Sequence, residues 1–154
     1  MIQIRKATDA DIDALIKSRC RTMCEVCGFG KDYEFSAEFM EATKEYFLHG
    51  EGTTVLAIDD SSGVLQIAGN ATLCYTNLLP TFSHPSGKRA HLMNVHVEKK
   101  FHRKGIVRKM IDLLVDEAKE RGVTEISLDA TDDGRKLYEA MDWRTNTEAM
   151  AKDL

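Results

Sequence analysis

No stretch of this chain approaches the roughly 18 apolar residues that a membrane-spanning helix needs. The opening MIQIRKATDADID also lacks the apolar run of a signal peptide, so a soluble chain in a reducing cytoplasm is expected. Only two prolines occur in 154 residues, and no repeat, low-complexity tract or linker divides the sequence. A single domain over residues 1–154 is therefore expected, long enough to bury about 70% of its unfolded surface. A basic balance is missing as well: the formal net charge of −4 argues against non-specific binding to nucleic acid, and no nucleic acid or membrane partner is expected.

Cysteine is scarce, with four in all, yet three crowd into CRTMCEVCGFG, where Cys20, Cys24 and Cys27 have the spacing CxxxCxxC. That spacing can hold an iron–sulfur cluster, as in the radical enzymes that cleave S-adenosylmethionine. The length leaves no room for their large barrel, nothing downstream supplies an obvious further ligand, and Cys74 stands far away. The other reading is a helix. Thr8 and Asp11 make an approximate capping box, Ile12, Leu15, Ile16, Cys20, Met23 and Cys27 follow the steps of one helical face, and Gly28 suits the C-terminal cap. On that helix Cys20 and Cys27 are about 10 Å apart along the axis, too far to bridge, and Cys24 sits beside the stripe. The thiols are thus expected to pack as small hydrophobes, and no metal site is expected.

The remaining pattern alternates between the two periods. A short strand over Ile2 to Arg5 precedes the cysteine helix, and a second helix is expected from an N-cap at Ser36 to His49 and Gly50, with Phe39, Met40, Thr43 and Phe47 on one side. TTVLAID and VLQIAGNATLCYTNLL are strands separated by the turn DSSG, and AHLMNVHVE is a third, together an antiparallel meander. An amphipathic helix, GIVRKMIDLLVDEAKERG, leads to the strand TEISLDA and the short helix GRKLYEAM, with a last strand expected near Thr147 to Lys152. Strand, helix, strand in that order implies a parallel crossover, so an α/β (α+β) fold with a mixed, mostly antiparallel sheet is expected.

The charge is placed rather than spread. Lys99, Lys100, Arg103, Lys104, Arg108 and Lys109 crowd into KKFHRKGIVRK, where a strand runs through a basic loop with one glycine into a long helix. Free N–H groups of a first helical turn, the positive end of its dipole and a glycine that admits close approach make an anion site; a solvated basic turn is the alternative that spacing alone leaves open.

At these residues the sequence resembles the GCN5-related N-acetyltransferase (GNAT) family. FHRKGIV follows the family pattern of Arg or Gln, two residues, Gly, one residue, and Gly or Ala, with His102 and Val107 departing from it. TDDGRKLYEAMDWRTNTEAM is similar to the family's ending, in which Tyr138 and Trp143 take the places of a tyrosine and of the aromatic in a Gly-Phe pair, Asp142 standing for the glycine. The resemblance implies a GNAT-like twisted sheet flanked by helices, acetyl-CoA as cosubstrate, and a primary amine, in a small molecule or a peptide, as acceptor. It implies that His102, Arg103, Lys104, Gly105, Ile106 and Val107 hold the pyrophosphate, with Arg108, Thr131 and Tyr138 also at the cofactor. The pantetheine arm would pair like a strand against Val95, His96 and Val97, the Val95 N–H would stabilise an oxyanion, and Tyr138 would protonate the leaving thiolate. His96 has the pKa range of a base, Glu98 could act through water, and Asn94 lies where some family members carry a base but cannot be one. Asp32, Glu34, Glu38 and Glu41 are consistent with a cationic acceptor or with an exposed helix face. A non-catalytic CoA-binding regulator on the same fold is the alternative function, and a homodimer is left open.

Overall fold

A computed structural model describes residues 1–146 and 148–154. Five strands form one sheet in chain order: β1 (Ile2–Lys6), β2 (Gly52–Asp59), β3 (Gln66–Asn77), β4 (Lys88–Val97) and β5 (Glu125–Leu128). The first four pair antiparallel and β5 runs parallel to β4, the mixed sheet that the crossover order implied. The helices are α1 (Ile12–Cys27), α2 (Ala37–His49), α3 (Ile106–Glu120) and α4 (Asp132–Glu139). No described helix is long and apolar enough to cross a membrane.

Two faces of the sheet have different chemistry. On α3, Ile106, Met110, Ile111, Leu114 and Ala118 recur at helical spacing and are all buried, packing with Val55, Ala57, Leu73, Ala90 and Leu92 of β2, β3 and β4 into the main core. Each such side chain contributes about 1.5–3 kcal/mol for the larger residues. On the opposite face α1 covers only a small cluster of Leu15, Leu56 and Ile58. The rest of that contact is polar: the buried residues of α1 are Leu15, Ser18 and Thr22, not the expected stripe through Cys20 and Cys27.

A chain of hydrogen bonds fills this polar layer. Ser18 Oγ donates to Asn70 Oδ1, Asn70 Nδ2 donates to the Asn94 carbonyl at 2.5 Å, Asn94 Nδ2 donates to Thr72 Oγ1 at 3.2 Å, and Thr72 meets Thr54 hydroxyl to hydroxyl at 2.8 Å. The layer surrounds a β-bulge. Asn70 pairs with His96 and Thr72 with Met93, so Asn94 and Val95 together stand opposite Ala71, and Asn94 takes a left-handed φ of 58°.

Two sequence expectations are corrected. The strand expected over Thr147 to Lys152 does not form across residues 148–152, which are irregular and exposed; residue 147 lies outside the described residues. Glu148, Ala149, Ala151 and Lys152 are poor strand formers, and little drives them onto the free edge of β5. The thiols are not core residues either: Cys27 is exposed and Cys20 and Cys24 are half-buried, because Ser18 and Thr22 occupy the face that meets the sheet.

Replacing Asn70 with alanine strands the Asn94 carbonyl and the Ser18 hydroxyl in a site with no solvent access. A loss of about 2–4 kcal/mol is expected, seen as a Tm lowered by roughly 5–15 °C. A Tm within 2 °C of the parent in a thermal melt would show that this network does not seat α1.

Candidate active site

From Val97 the chain passes through a 3₁₀ turn at Lys99–Phe101 into the loop His102–Gly105, and α3 starts at Ile106. Arg103 and Gly105 take left-handed φ values of 63° and 70°. A residue with a Cβ is strained in that region, and glycine is not. The N–H groups of residues 103–108 find no acceptor among the described residues. Consecutive free donors at the positive end of a helix form a cradle for an anion. His102 anchors the cradle: its Nε2 lies 2.9 Å from the Val97 carbonyl and its N–H donates to the Lys99 carbonyl. Lys100 and Lys104 lie over the ring of Phe101, 4.8 and 5.3 Å from its centroid. Val107, the branched residue where the family pattern has Gly or Ala, packs against the main core.

Behind the loop, β4 has an open edge. β5 pairs only with Arg89 to Leu92, so from Met93 to Val97 the edge of β4 away from β3 has no strand beside it among the described residues. On that side the N–H groups of Val95 and Val97 are available to an extended ligand, while His96 turns its carbonyl toward Gly69 of β3 and the Val97 carbonyl is taken by His102. The bulge also resets the alternation of side chains: Val95 and Val97 pack toward the α3 core, whereas Asn94, His96 and Glu98 meet α1. Arg19 reaches Asn94 Oδ1 at 3.4 Å, Arg21 pairs with Glu98 at 2.6 Å, and Glu25 Oε2 lies 2.7 Å from His96 Nε2.

The two candidate bases are held differently. Glu98 is shared among Arg21, Gln66 and Lys100, an arrangement that reads as a strut between α1, β3 and the turn after β4. The His96 side chain is 10% exposed, and its Nδ1 is buried without a partner among the described residues. When Nε2–H donates to Glu25, Nδ1 is left as a lone-pair acceptor.

Tyr138 lies on α4, its ring 5.9 Å from that of Trp143 in an edge-on arrangement. Gly134 makes room for it, since a Cβ there would come within 3.2 Å of the tyrosine ring. The Tyr138 hydroxyl makes no hydrogen bond among the described residues, and burial raises its pKa, so it holds its proton. Thr131 is the N-cap of α4, its Oγ1 accepting from the Gly134 N–H at 3.2 Å. Asp142 has φ 66°, which explains its place: the turn before Trp143 needs a left-handed residue, and aspartate is among the few besides glycine that adopt it. Arg108 ties α3 to the end of α4 through the Ala140 carbonyl at 3.3 Å.

Glu25, Ser18 and Asn70 were not among the residues that the sequence singled out. Glu25 sits between two of the conspicuous cysteines, and only its proximity to His96 distinguishes it. Of the four acidic residues noted in the sequence, Glu34 lines a groove between α1 and α2, and Asp32, Glu38 and Glu41 are on the exposed surface.

The acetyltransferase (GNAT) family model matches residues 18–143, and the chain belongs to that family. Among solved structures it is similar to a predicted acetyltransferase from Clostridium acetobutylicum determined with acetyl-CoA, at 25% identity and TM-score 0.85, with 99% of this chain and 96% of that chain covered. It also resembles in fold a GCN5-related N-acetyltransferase from Ralstonia eutropha, at 22% identity and TM-score 0.76 over 100% and 99% of the two chains. A third fold relative is glucosamine-6-phosphate N-acetyltransferase from Arabidopsis thaliana, at 21% identity and TM-score 0.72 over 99% and 98%. No curated protein matches the chain.

The positions of the thiols set the size of their contribution. Cys27→Ala should change stability by less than about 0.5 kcal/mol and Cys20→Ala by no more than about 1 kcal/mol. Urea melts check this; a loss above about 2 kcal/mol for Cys27→Ala would place that thiol in packing that its exposure does not provide.

Proposed function

We propose that residues 1–154 form one acetyltransferase domain that moves an acetyl group from acetyl-CoA to a primary amine by direct attack, with no covalent acyl-enzyme. The observation that carries this reading is a pair of unpaired backbone stretches joined by one short turn, the open edge of β4 and the free N–H groups of residues 103–108 at the start of α3. A phosphate-bearing ligand with an extended amide arm matches it in order: pyrophosphate at residues 103–108, amides along Val95 to Val97, and thioester at the bulge. Arg103 and Lys104 add side-chain charge to the main-chain cradle, and His102 and Arg108 hold its shape. The Val95 N–H is assigned the oxyanion, a contact worth about 3–4 kcal/mol.

The amine arrives as an ammonium with a pKa of ~10.4, and its deprotonation at neutral pH costs about 4–5 kcal/mol. His96 takes that proton on Nδ1 while Glu25 stabilises the imidazolium through Nε2. The neutral amine forms a bond to the carbonyl carbon, and the carbon–sulfur bond breaks. Tyr138 protonates the departing thiolate and is itself reprotonated from the new amide nitrogen. The net release is one proton per acetyl group moved. Acid and base need not compete, because His96 faces α1 and Tyr138 packs with the α3 core.

Acetyl-CoA should bind in calorimetry with an affinity that falls as salt rises, and Lys104→Glu should weaken it at least tenfold. Absence of binding at low salt would end the reading; binding without turnover of any amine would favour a CoA-responsive regulator.

Tyr138→Phe keeps the ring against Trp143 and removes the hydroxyl, so kcat should drop by roughly 10²-fold or more with acetyl-CoA affinity and Tm little changed. An unchanged kcat, with chemistry shown to limit turnover, would remove Tyr138 from the mechanism.

A further inference from the structure

The acetyl-CoA path leaves one large feature without a role, a groove of about 940 Å³ between α1, α2 and the loop that joins them. Its wall is apolar: Cys20, Cys24, Phe29, Tyr33, Phe35 and Met40. The rings form a connected series, Phe29 stacked on Tyr33 at 4.1 Å, Tyr33 edge-on to Phe35 at 5.0 Å, and Phe35 stacked on Phe39 at 4.7 Å. This series orders a loop that has no regular structure of its own. Even so, Phe29 and Tyr33 stay 41% and 46% exposed, more aromatic surface than holding the loop requires.

Four charged side chains line the groove, Arg21, Glu25, Lys31 and Glu34. Arg21 is neutralised by Glu98 at 2.6 Å. Glu25 uses Oε2 for His96, and its Oε1 makes no hydrogen bond among the described residues. What remains is Glu25 and Glu34 against the exposed Lys31, a balance suited to one ammonium. A polyamine or an aminoglycoside carries several and would meet too few carboxylates here.

We propose that the acceptor is a primary monoamine on a compact aromatic or aliphatic body, of arylalkylamine type. The apolar body lies against Phe29, Tyr33 and Met40, and the ammonium is drawn in by Glu25, whose Oε2 lies 2.7 Å from His96 Nε2. Aromatic faces and the polarisable sulfurs of Met40 and Cys20, 3.6 Å apart, suit such a body. This inference rests on the N-acetyltransferase reading and adds the substrate class to it.

The test is steady-state CoA release at saturating acetyl-CoA with phenethylamine, spermidine and glucosamine 6-phosphate as acceptors. Phenethylamine should have a kcat/KM at least about tenfold above the other two. Tyr33→Ala should raise its KM by about tenfold, and Glu34→Lys, which reverses the charge balance without touching the ring series, by about fivefold. Both variants should retain parental circular dichroism and bind acetyl-CoA in calorimetry within twofold of the parent. Preference for spermidine or the sugar phosphate overturns the assignment while leaving the acetyltransferase reading intact, as does an unchanged KM in both variants. Acetyl-CoA binding with no turnover of phenethylamine also overturns it; loss of acetyl-CoA binding by the parent protein instead removes the reading on which it rests.

Discussion

The carboxamide of Asn70 lies beneath α1 with no solvent access, accepting from Ser18 of that helix and donating to the Asn94 carbonyl of β4. A carboxamide buried without partners costs several kcal/mol, so its two bonds constrain what surrounds them. The bond to Ser18 sets where α1 sits. The bond to Asn94 satisfies a carbonyl that the bulge takes out of the strand ladder, in a residue held at an unfavourable left-handed φ. From that one residue the rest follows. Because Asn94 and Val95 oppose a single residue of β3, the next side chains change sides, and His96 and Glu98 face α1 while Val95 and Val97 join the α3 core.

The same network shows where sequence reasoning runs out. Strands, helices and the parallel crossover were legible because periods of two and of three to four survive in the hydrophobic pattern, most clearly in Ile106 to Ala118. The basic loop before α3 was legible as an element, but its spacing left an anion site and a solvated basic turn equally open, because the free N–H groups of residues 103–108 leave no mark in a sequence. The seat of α1 was not. Ser18 and Thr22 look like an exposed face, and Asn70 and Asn94 are ordinary polar positions within expected strands, because a polar residue in a sequence does not announce a buried partner that stands 24 or 52 positions away. Hydrophobic periodicity instead pulled Cys20 and Cys27 inward. The departures from the family pattern became intelligible only in three dimensions, with Val107 turned into the core and Asp142 in a left-handed turn.

The electrostatics around the C-terminal end of β4 complete this picture. The chain is negative overall, at −4, yet Lys99, Arg103, Lys104 and Lys109 have no carboxylate partner among the described residues and surround the free N–H groups at the start of α3. An anion approaching a negative molecule is guided to that loop and away from most of the remaining surface. The groove on the other side of β4 keeps a small excess of carboxylate beside aromatic rings. Under the proposed reading, a polyanionic cosubstrate would meet the loop beyond Val97 and a cationic acceptor the groove beside α1, on the sheet face to which His96 turns. The bulge links the two, because the shift it makes in the alternation of side chains turns His96 toward α1 and the groove while Val95 and Val97, next to the loop, join the α3 core.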